Sequence, residues 1–215
     1  MDKRCYIAGA GEFCASKLPE QNDFIIAADG GYAALLNYEI TPDLVVGDFD
    51  SLGRVPDHPN VIQSNTEKDD TDMMLAVKQG IKLGYKEFII NGGLGGRLDQ
   101  TLANIQILAY LTDHDSHGIL IGNDIHITAI KNGTIDLIPN PDVIKNNNII
   151  SIFSHGEKAD GITLKGLKYP LNNASLTNGY PIGVSNELTG DIVTISVKSG
   201  ILIIIYPANT QCIKP

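Results

Sequence analysis

The chain has 215 residues, enough for one large or two small domains with a buried core. A formal net charge of -9 counts against nucleic acid or an anionic membrane as partner, and 43% hydrophobic with 19% charged residues is an ordinary globular mixture. No apolar run approaches the ~20 residues of a membrane-spanning helix, and the apolar start at residues 5–10 is too short for a leader. Cys5, Cys14 and Cys212 are odd in number and lack Cys-x-x-Cys spacing. They read as free thiols in a reducing compartment, which places the protein in the cytoplasm.

The first half alternates short apolar runs with helical patterns. Residues 6–8, 24–28, 44–47, 61–63, 88–91 and 119–122 are apolar and each ends at Gly, Asp, Asn or Ser, as buried parallel strands do. After the fourth run, Thr66-x-x-Asp69 offers a capping box. Met73, Ala76, Val77, Gly80 and Ile81 follow at helical spacing, and Gly84 supplies the stop. Leu98, Leu102, Ile105, Leu108 and Ala109 predict a second helix. The expected fold of residues 1–124 is a doubly wound, Rossmann-like α/β domain.

From residue 125 the pattern changes. Runs at 125–130, 134–137, 149–153, 161–165, 174–176, 183–187, 192–197 and 201–206 read as strands, with no good helix among them. Turn residues separate them, among them Lys131-Asn132-Gly133, Pro139-Asn140-Pro141 and Asn178-Gly179. Residues 125–215 are therefore expected to form a small β-sandwich. His114 and His117 fall in a polar stretch and read as solvated, and Tyr169 and Tyr180 read as packing residues.

Several strand ends carry chemistry. In open α/β sheets ligands sit beyond the carboxyl ends of the strands. There the sequence places Asp29-Gly30-Gly31, then Asp48-Phe49-Asp50-Ser51, then the glycine-rich turn Gly92-Gly93-Leu94-Gly95-Gly96-Arg97-Leu98-Asp99-Gln100. Asp48 and Asp50 would project from one side of an extended segment, and magnesium would offset their repulsion. The alternative is an Asx turn. In Lys68-Asp69-Asp70-Thr71-Asp72, capping accounts for one acid but not three; Asp69 and Asp72 share a helical face, and Lys68 suits a phosphate. The glycine turn permits close approach of backbone amides to phosphate, with Arg97 as a fork for its oxygens. The alternative is an Arg97–Asp99 ion pair closing the turn.

In this order these motifs resemble those of thiamine pyrophosphokinases, and Gly166-Leu167-Lys168-Tyr169 and Ser185-Asn186-Glu187 are similar to signatures of that family's second domain. The resemblance spans essentially the whole chain. It implies transfer of a pyrophosphoryl group from ATP to thiamine with release of AMP, with magnesium, in a homodimer whose site lies at the subunit interface. By resemblance, Asp48, Asp50 and Asp72 hold the metal and, with Arg97 and Asp99, form the reaction site. Asp29, Gly30, Gly31, Lys68, Asp69, Gly92, Gly93, Gly95, Gly96 and Arg97 serve the nucleotide. Gln100, Tyr169, Ser185 and Asn186 serve thiamine. Animal members carry tryptophan where Tyr169 stands. Two rival readings remain: an aspartyl-phosphate phosphohydrolase with Asp48 as nucleophile, which leaves residues 92–99 without a role, and a nucleotide-sensing module without turnover.

Overall fold

The structure, a computed structural model, describes residues 3–50, 53–64 and 70–213, leaving aside the side chains of residues 143, 144 and 146. It divides into two compact units, Met1–Ile107 with His114–Asn123, and Leu108–Asp113 with Asp124–Pro215. The capping box expected at residues 66–69 lies outside the described residues.

In the first unit six strands run parallel: β1 (Arg4–Ala8), β2 (Phe24–Ala28), β3 (Leu44–Gly47), β4 (Val61–Gln63), β5 (Glu87–Asn91) and β6 (His117–Ile121). Their order is β4-β3-β2-β1-β5-β6. The chain steps outward from β1 to β4, then returns to pair β5 on the other side of β1. Between β1 and β5 the winding reverses, the position beyond whose strand ends open α/β sheets hold ligands.

Side chains alternate across each strand, so the two faces take different helices. Tyr6, Ala8, Ala27, Val45 and Phe49 cluster with Leu35 of α1 (Gly31–Leu36). Six residues are too few for a helix to hold itself in water. Close packing holds this one, for a β-carbon at Gly31 would lie 2.0 Å from the Ala8 carbonyl oxygen. On the opposite face Cys5 and Phe88 meet Gly80 of α2 (Asp72–Lys82). Thr71 caps α2, its hydroxyl accepting from Met74 N at 3.1 Å. That cap contributes about 1 kcal/mol, whereas burying Met73 and Val77 contributes ~1.5–3 kcal/mol each. Packing holds the helix and the cap sets where it starts.

Helix α3 (Leu98–Asp113) departs from its expected stripe. Leu108 and Ala109 are buried as expected, but Leu98 is 72% and Leu102 54% exposed, and the buried face runs through Asn104, Ile107, Leu108 and Leu111. This i, i+3, i+4, i+7 stripe starts on a polar residue, which hid it in the sequence. His117 is also corrected. It is a buried residue of β6 whose Nδ1 lies 3.1 Å from Glu87 Oε2 on the neighbouring strand.

The second unit is antiparallel: β7 (Ile125–Lys131), β8 (Thr134–Pro139), β9 (Ile149–Lys165), β10 (Leu171–Thr177), β11 (Asn186–Glu187), β12 (Val193–Ser196), β13 (Ser199–Pro207) and β14 (Thr210–Ile213). The order is β14-β8-β12-β9-β13-β7, with β10 and β11 also on β9. A short helix, α4 (Pro141–Asn146), stands where only a turn was expected; Asn140 Oδ1 accepts from Asp142 N at 3.0 Å and Pro141 opens the helix. The runs at 149–153 and 161–165 are one 17-residue strand. Gly156 (φ 86) and Gly161 (φ 69) bend it. Burial shifts phase at each bend, from Ile152 and Ser154 to Ala159 and then to Ile162 and Leu164. Glycine there keeps the strand going, where the sequence reading took a break. Tyr169 and Tyr180 are 54% and 68% exposed, so neither is the packing residue expected.

Replacing Gly31 by Ala should lower stability by roughly 1–3 kcal/mol, as overpacking does. A β-carbon at Gly179 meets nothing within 4 Å, so Gly179→Ala should stay within about 0.5 kcal/mol. Urea midpoints measure both. Equal losses would remove the packing account of α1.

Candidate active site

The crevice at the winding reversal is a cleft of about 600 Å³. Its lining comes from the ends of β1, β2, β3 and β5 and from the starts of α2 and α3. Gly9, Ala10 and Gly11 follow β1, Asp29 ends β2 and Asp48 ends β3. Gly92, Gly93, Gly95, Gly96, Arg97, Gln100 and Asn104 run from β5 into α3, and Asp70, Thr71, Asp72 and Met73 open α2.

One wall is a zipper between two loops. Gly9 N donates to the Asn91 carbonyl at 2.7 Å, Gly11 N to Gly92 O at 2.8 Å and Glu12 N to Leu94 O at 2.9 Å. A β-carbon at Gly9, Gly11 or Gly92 would fall within 2.7 Å of the opposite backbone. Only glycine lets the loops meet there. Behind the zipper, the wholly buried Asn91 side chain fixes the loop after β1. Its Oδ1 accepts from Cys14 N at 2.8 Å, and its Nδ2 donates to Tyr6 OH at 2.8 Å and to the Cys14 carbonyl at 2.9 Å. Tyr6 OH in turn donates to the Lys17 carbonyl at 2.8 Å. Burial pushes the Tyr6 phenol well above its ordinary range, so it stays a neutral donor.

The aspartates sit on unusual backbone. Asp29 (φ 45) and Phe49 (φ 62) adopt left-handed conformations that cost a non-glycine residue about 1–3 kcal/mol each. At Phe49 this turn breaks the extended geometry expected of Asp48 and Asp50. Asp48 Oδ1 instead accepts from Asp50 N at 3.2 Å, an Asx turn. Asp48 lines the cleft and Asp50 is exposed outside it. Lys78 holds Asp70 at 2.6 and 2.7 Å. Asp29, Asp48, Asp70 and Asp72 thus share one cleft, in which Arg97 is the only cationic side chain among the described residues.

Arg97 and Asp99 form the ion pair that closes the turn, Nε to Oδ1 at 3.1 Å and Nη2 to Oδ2 at 2.6 Å. The guanidinium holds the Asp99 carboxyl below the usual carboxylate range, and the carboxylate raises Arg97. A carboxylate so held is a weaker base.

The other expected residues fall elsewhere. Gly30 caps α1 and Gly31 packs on β1; neither lines the cleft. Lys68, Asp69 and Ser51 lie outside the described residues. Tyr169, Ser185 and Asn186 belong to the second unit, where Ser185 N donates to Ser151 Oγ at 3.1 Å. The buried Asn186 amide accepts from Tyr169 N at 3.0 Å and donates to Tyr169 O at 2.8 Å. Asn186 therefore fixes the backbone of an exposed tyrosine. Lys168 Nζ lies 5.4 Å from the Tyr169 ring centre and 2.7 Å from Glu187 Oε1. The sequence reading missed Gly9, Ala10, Gly11 and Asn104. A Gly-x-Gly directly after the first strand was the available signal for the first three; Asn104, inside a helix, carried none.

Among the described residues no three His, Cys, Asp or Glu side chains are grouped to hold a metal ion. Magnesium does not require that, since one or two carboxylates with substrate phosphates and water complete its shell. Asp48 and Asp72 in a shared, strongly acidic cleft fit it. An anionic phosphate chain needs a cation to enter such a cleft.

Glycine loops and helix N-termini at a winding reversal define a phosphate-binding α/β unit, here followed by an antiparallel unit. Residues 15–120 match the thiamin pyrophosphokinase catalytic domain and residues 134–202 the thiamin pyrophosphokinase vitamin B1 binding domain. Thiamine pyrophosphokinase of Bacillus subtilis is 33% identical over 192 residues, covering 86% of this chain and 88% of that protein. Thiamin pyrophosphokinase 1 of Caenorhabditis elegans is 24% identical over 205 residues, covering 91% and 84%. The crystal structure of the Bacillus subtilis enzyme superposes with a TM-score of 0.84 at 30% identity, covering 96% of this chain and all of that one. The Geobacillus thermodenitrificans structure gives 0.78 at 26% identity, covering 95% and 97%. The chain belongs to the thiamin pyrophosphokinase family.

Replacing Asn91 by Ala strands the Cys14 amide in the interior and leaves the Cys14 carbonyl with the 3.3 Å bond from Lys17 N alone. A buried unsatisfied group costs ~1–3 kcal/mol, so the variant should lose about that much in chemical denaturation. A loss below about 1 kcal/mol would remove Asn91 as the anchor of the loop.

Proposed function

We propose that this chain transfers a pyrophosphoryl group from ATP to thiamine, giving thiamine diphosphate and AMP. Membership of the family supports this, and the observation that carries it to these residues is the single cleft joining the glycine zipper, Arg97 and the aspartates. In the reaction the hydroxyl oxygen of thiamine bonds the β-phosphorus. The bridging oxygen leaves on AMP, and the hydroxyl proton is released.

The residues work mainly by position and charge. Backbone amides of residues 92–96 and the start of α3 face the phosphates, and the Nη1 edge of Arg97, not used in its pair with Asp99, is directed to a phosphate oxygen. Asp99 is a positioning residue that orients Arg97, and its lowered basicity counts against it as proton acceptor. Asp48 and Asp72 hold magnesium, with Asp50 at the rim; when bound, the ion neutralises phosphate charge. The two units are read as a Rossmann-like nucleotide unit and a β-sandwich that presents Tyr169, Ser185 and Asn186 to thiamine. Its setting is the cytoplasm, in keeping with three free cysteines; among the described residues no helix is long and apolar enough to cross a membrane.

Asp48→Asn should abolish formation of AMP and thiamine diphosphate together, a fall of at least ~10²-fold, while circular dichroism and the urea midpoint stay near wild type. Turnover at the wild-type rate would sink the assignment of Asp48. Free phosphate as the product in place of AMP would favour a phosphohydrolase.

The protein is further proposed to act as a homodimer. Tyr180, Ile182 and Val184, beside Ser185, are 68%, 64% and 45% exposed, an apolar grouping that a second copy would cover. Sedimentation should give a dimer at assay concentrations, and Ile182→Asp should weaken it and activity in parallel. A fully active monomer would overturn this.

A further inference from the structure

Asn104 is the one polar residue of the buried α3 stripe. It is 6% exposed yet lines the cleft, one helical turn after Gln100. Its Nδ2 donates to the Gly93 carbonyl at 2.7 Å. That bond fixes which way the amide points, because a carbonyl cannot accept from Oδ1. Oδ1 is buried, and among the described residues no group donates to it. Leaving such an acceptor bare is unfavourable, and a leucine would fill a helix stripe without that cost.

The chemistry of the cleft narrows what the oxygen faces. Phosphate oxygens carry no proton at neutral pH and would be repelled by it, so its partner is a donor on an uncharged part of a ligand. The amide also has a second N–H beyond the one given to Gly93. Asn104 thus presents an acceptor beside a donor in one plane. The complementary edge is an amino group next to a ring nitrogen, which asparagine and glutamine amides pair with two hydrogen bonds.

We infer that Asn104 reads the aminopyrimidine edge of a bound substrate through Oδ1 while its Nδ2 tethers the glycine turn. The inference rests on the proposed reaction, whose two substrates both carry such an edge, on adenine and on the pyrimidine ring of thiamine. The amide acts as a specificity-determining contact and takes no part in bond making.

The test is a cycle of substrate and residue. Wild-type protein and Asn104→Ala are assayed for kcat/KM with ATP against purine riboside triphosphate, which lacks the amino group. They are then assayed with thiamine against its 4′-deamino analogue. Wild type should prefer one amino-bearing substrate by about tenfold, the size of one hydrogen bond with a bared acceptor, and Asn104→Ala should reduce that preference to within about twofold. Collapse in the ATP pair alone assigns the contact to adenine, and collapse in the thiamine pair alone assigns it to thiamine. If the alanine variant does not fold, Asn104→Ser, which keeps a small polar group in the buried site, is read the same way. A variant that slows every substrate by one common factor overturns the inference and leaves Asn104 as a tether only. Should wild type form no thiamine diphosphate, the functional reading fails separately. Calorimetric binding of the two nucleotides to both proteins then decides the inference, which is overturned if the variant weakens them alike.

Discussion

The backbone bonds between residues 9–12 and 91–94 bring two loops together where the sheet reverses its winding. Neither loop has regular structure to fix its course, and each leaves a different strand. They stay together because glycines at 9, 11 and 92 remove the β-carbons that would collide, and because Asn91 satisfies the amide and carbonyl of Cys14 from below. Without that contact the cleft would have no wall opposite the aspartates. The glycine turn would also lose the bonds that Gly92 O and Leu94 O accept from the first loop. A buried, fully bonded amide is a demanding device, since every partner is stranded if one is lost. That sensitivity suits a site whose geometry must hold to fractions of an ångström.

Around this wall the unit concentrates negative charge that would be unfavourable in a purely structural surface. Among the described residues four aspartates share a cleft with one arginine, and two of the strand ends that supply them carry left-handed, non-glycine residues. Both features cost stability. They make sense if a cation accompanies the ligand and if the turns aim carboxylates that an extended strand would splay. Arg97, by contrast, is kept at the mouth by Asp99, exposed and preoriented, so that meeting a phosphate requires little loss of side-chain freedom. In the second unit the same economy recurs at Asn186, whose amide is spent on the backbone of Tyr169 and leaves the ring outside.

The sequence determined the strands of the first unit almost to the residue, because fully buried parallel strands are short, uniformly apolar runs closed by Gly, Asp or Asn. It also determined that the acidic and glycine-rich motifs fall at strand ends, since that follows from order along the chain. The family signatures were legible for the same reason. What it misjudged depended on partners distant in sequence. The expected α3 stripe held at Leu108 and Ala109 but not at Leu98 and Leu102, which face outward, because the neighbours that bury α3 take in Asn104, Ile107 and Leu111. Glycines 156 and 161 read as breaks, yet flanking strands carry β9 through both. His117 looked solvated beside His114, yet it is buried in β6, where it pairs with Glu87 of β5. Only the tertiary structure decided that residues 9–11 belong to the site and that Asn104 lines the cleft. Each is a matter of which backbone lies against which, and local spacing carries no information about that until the sheet order is known.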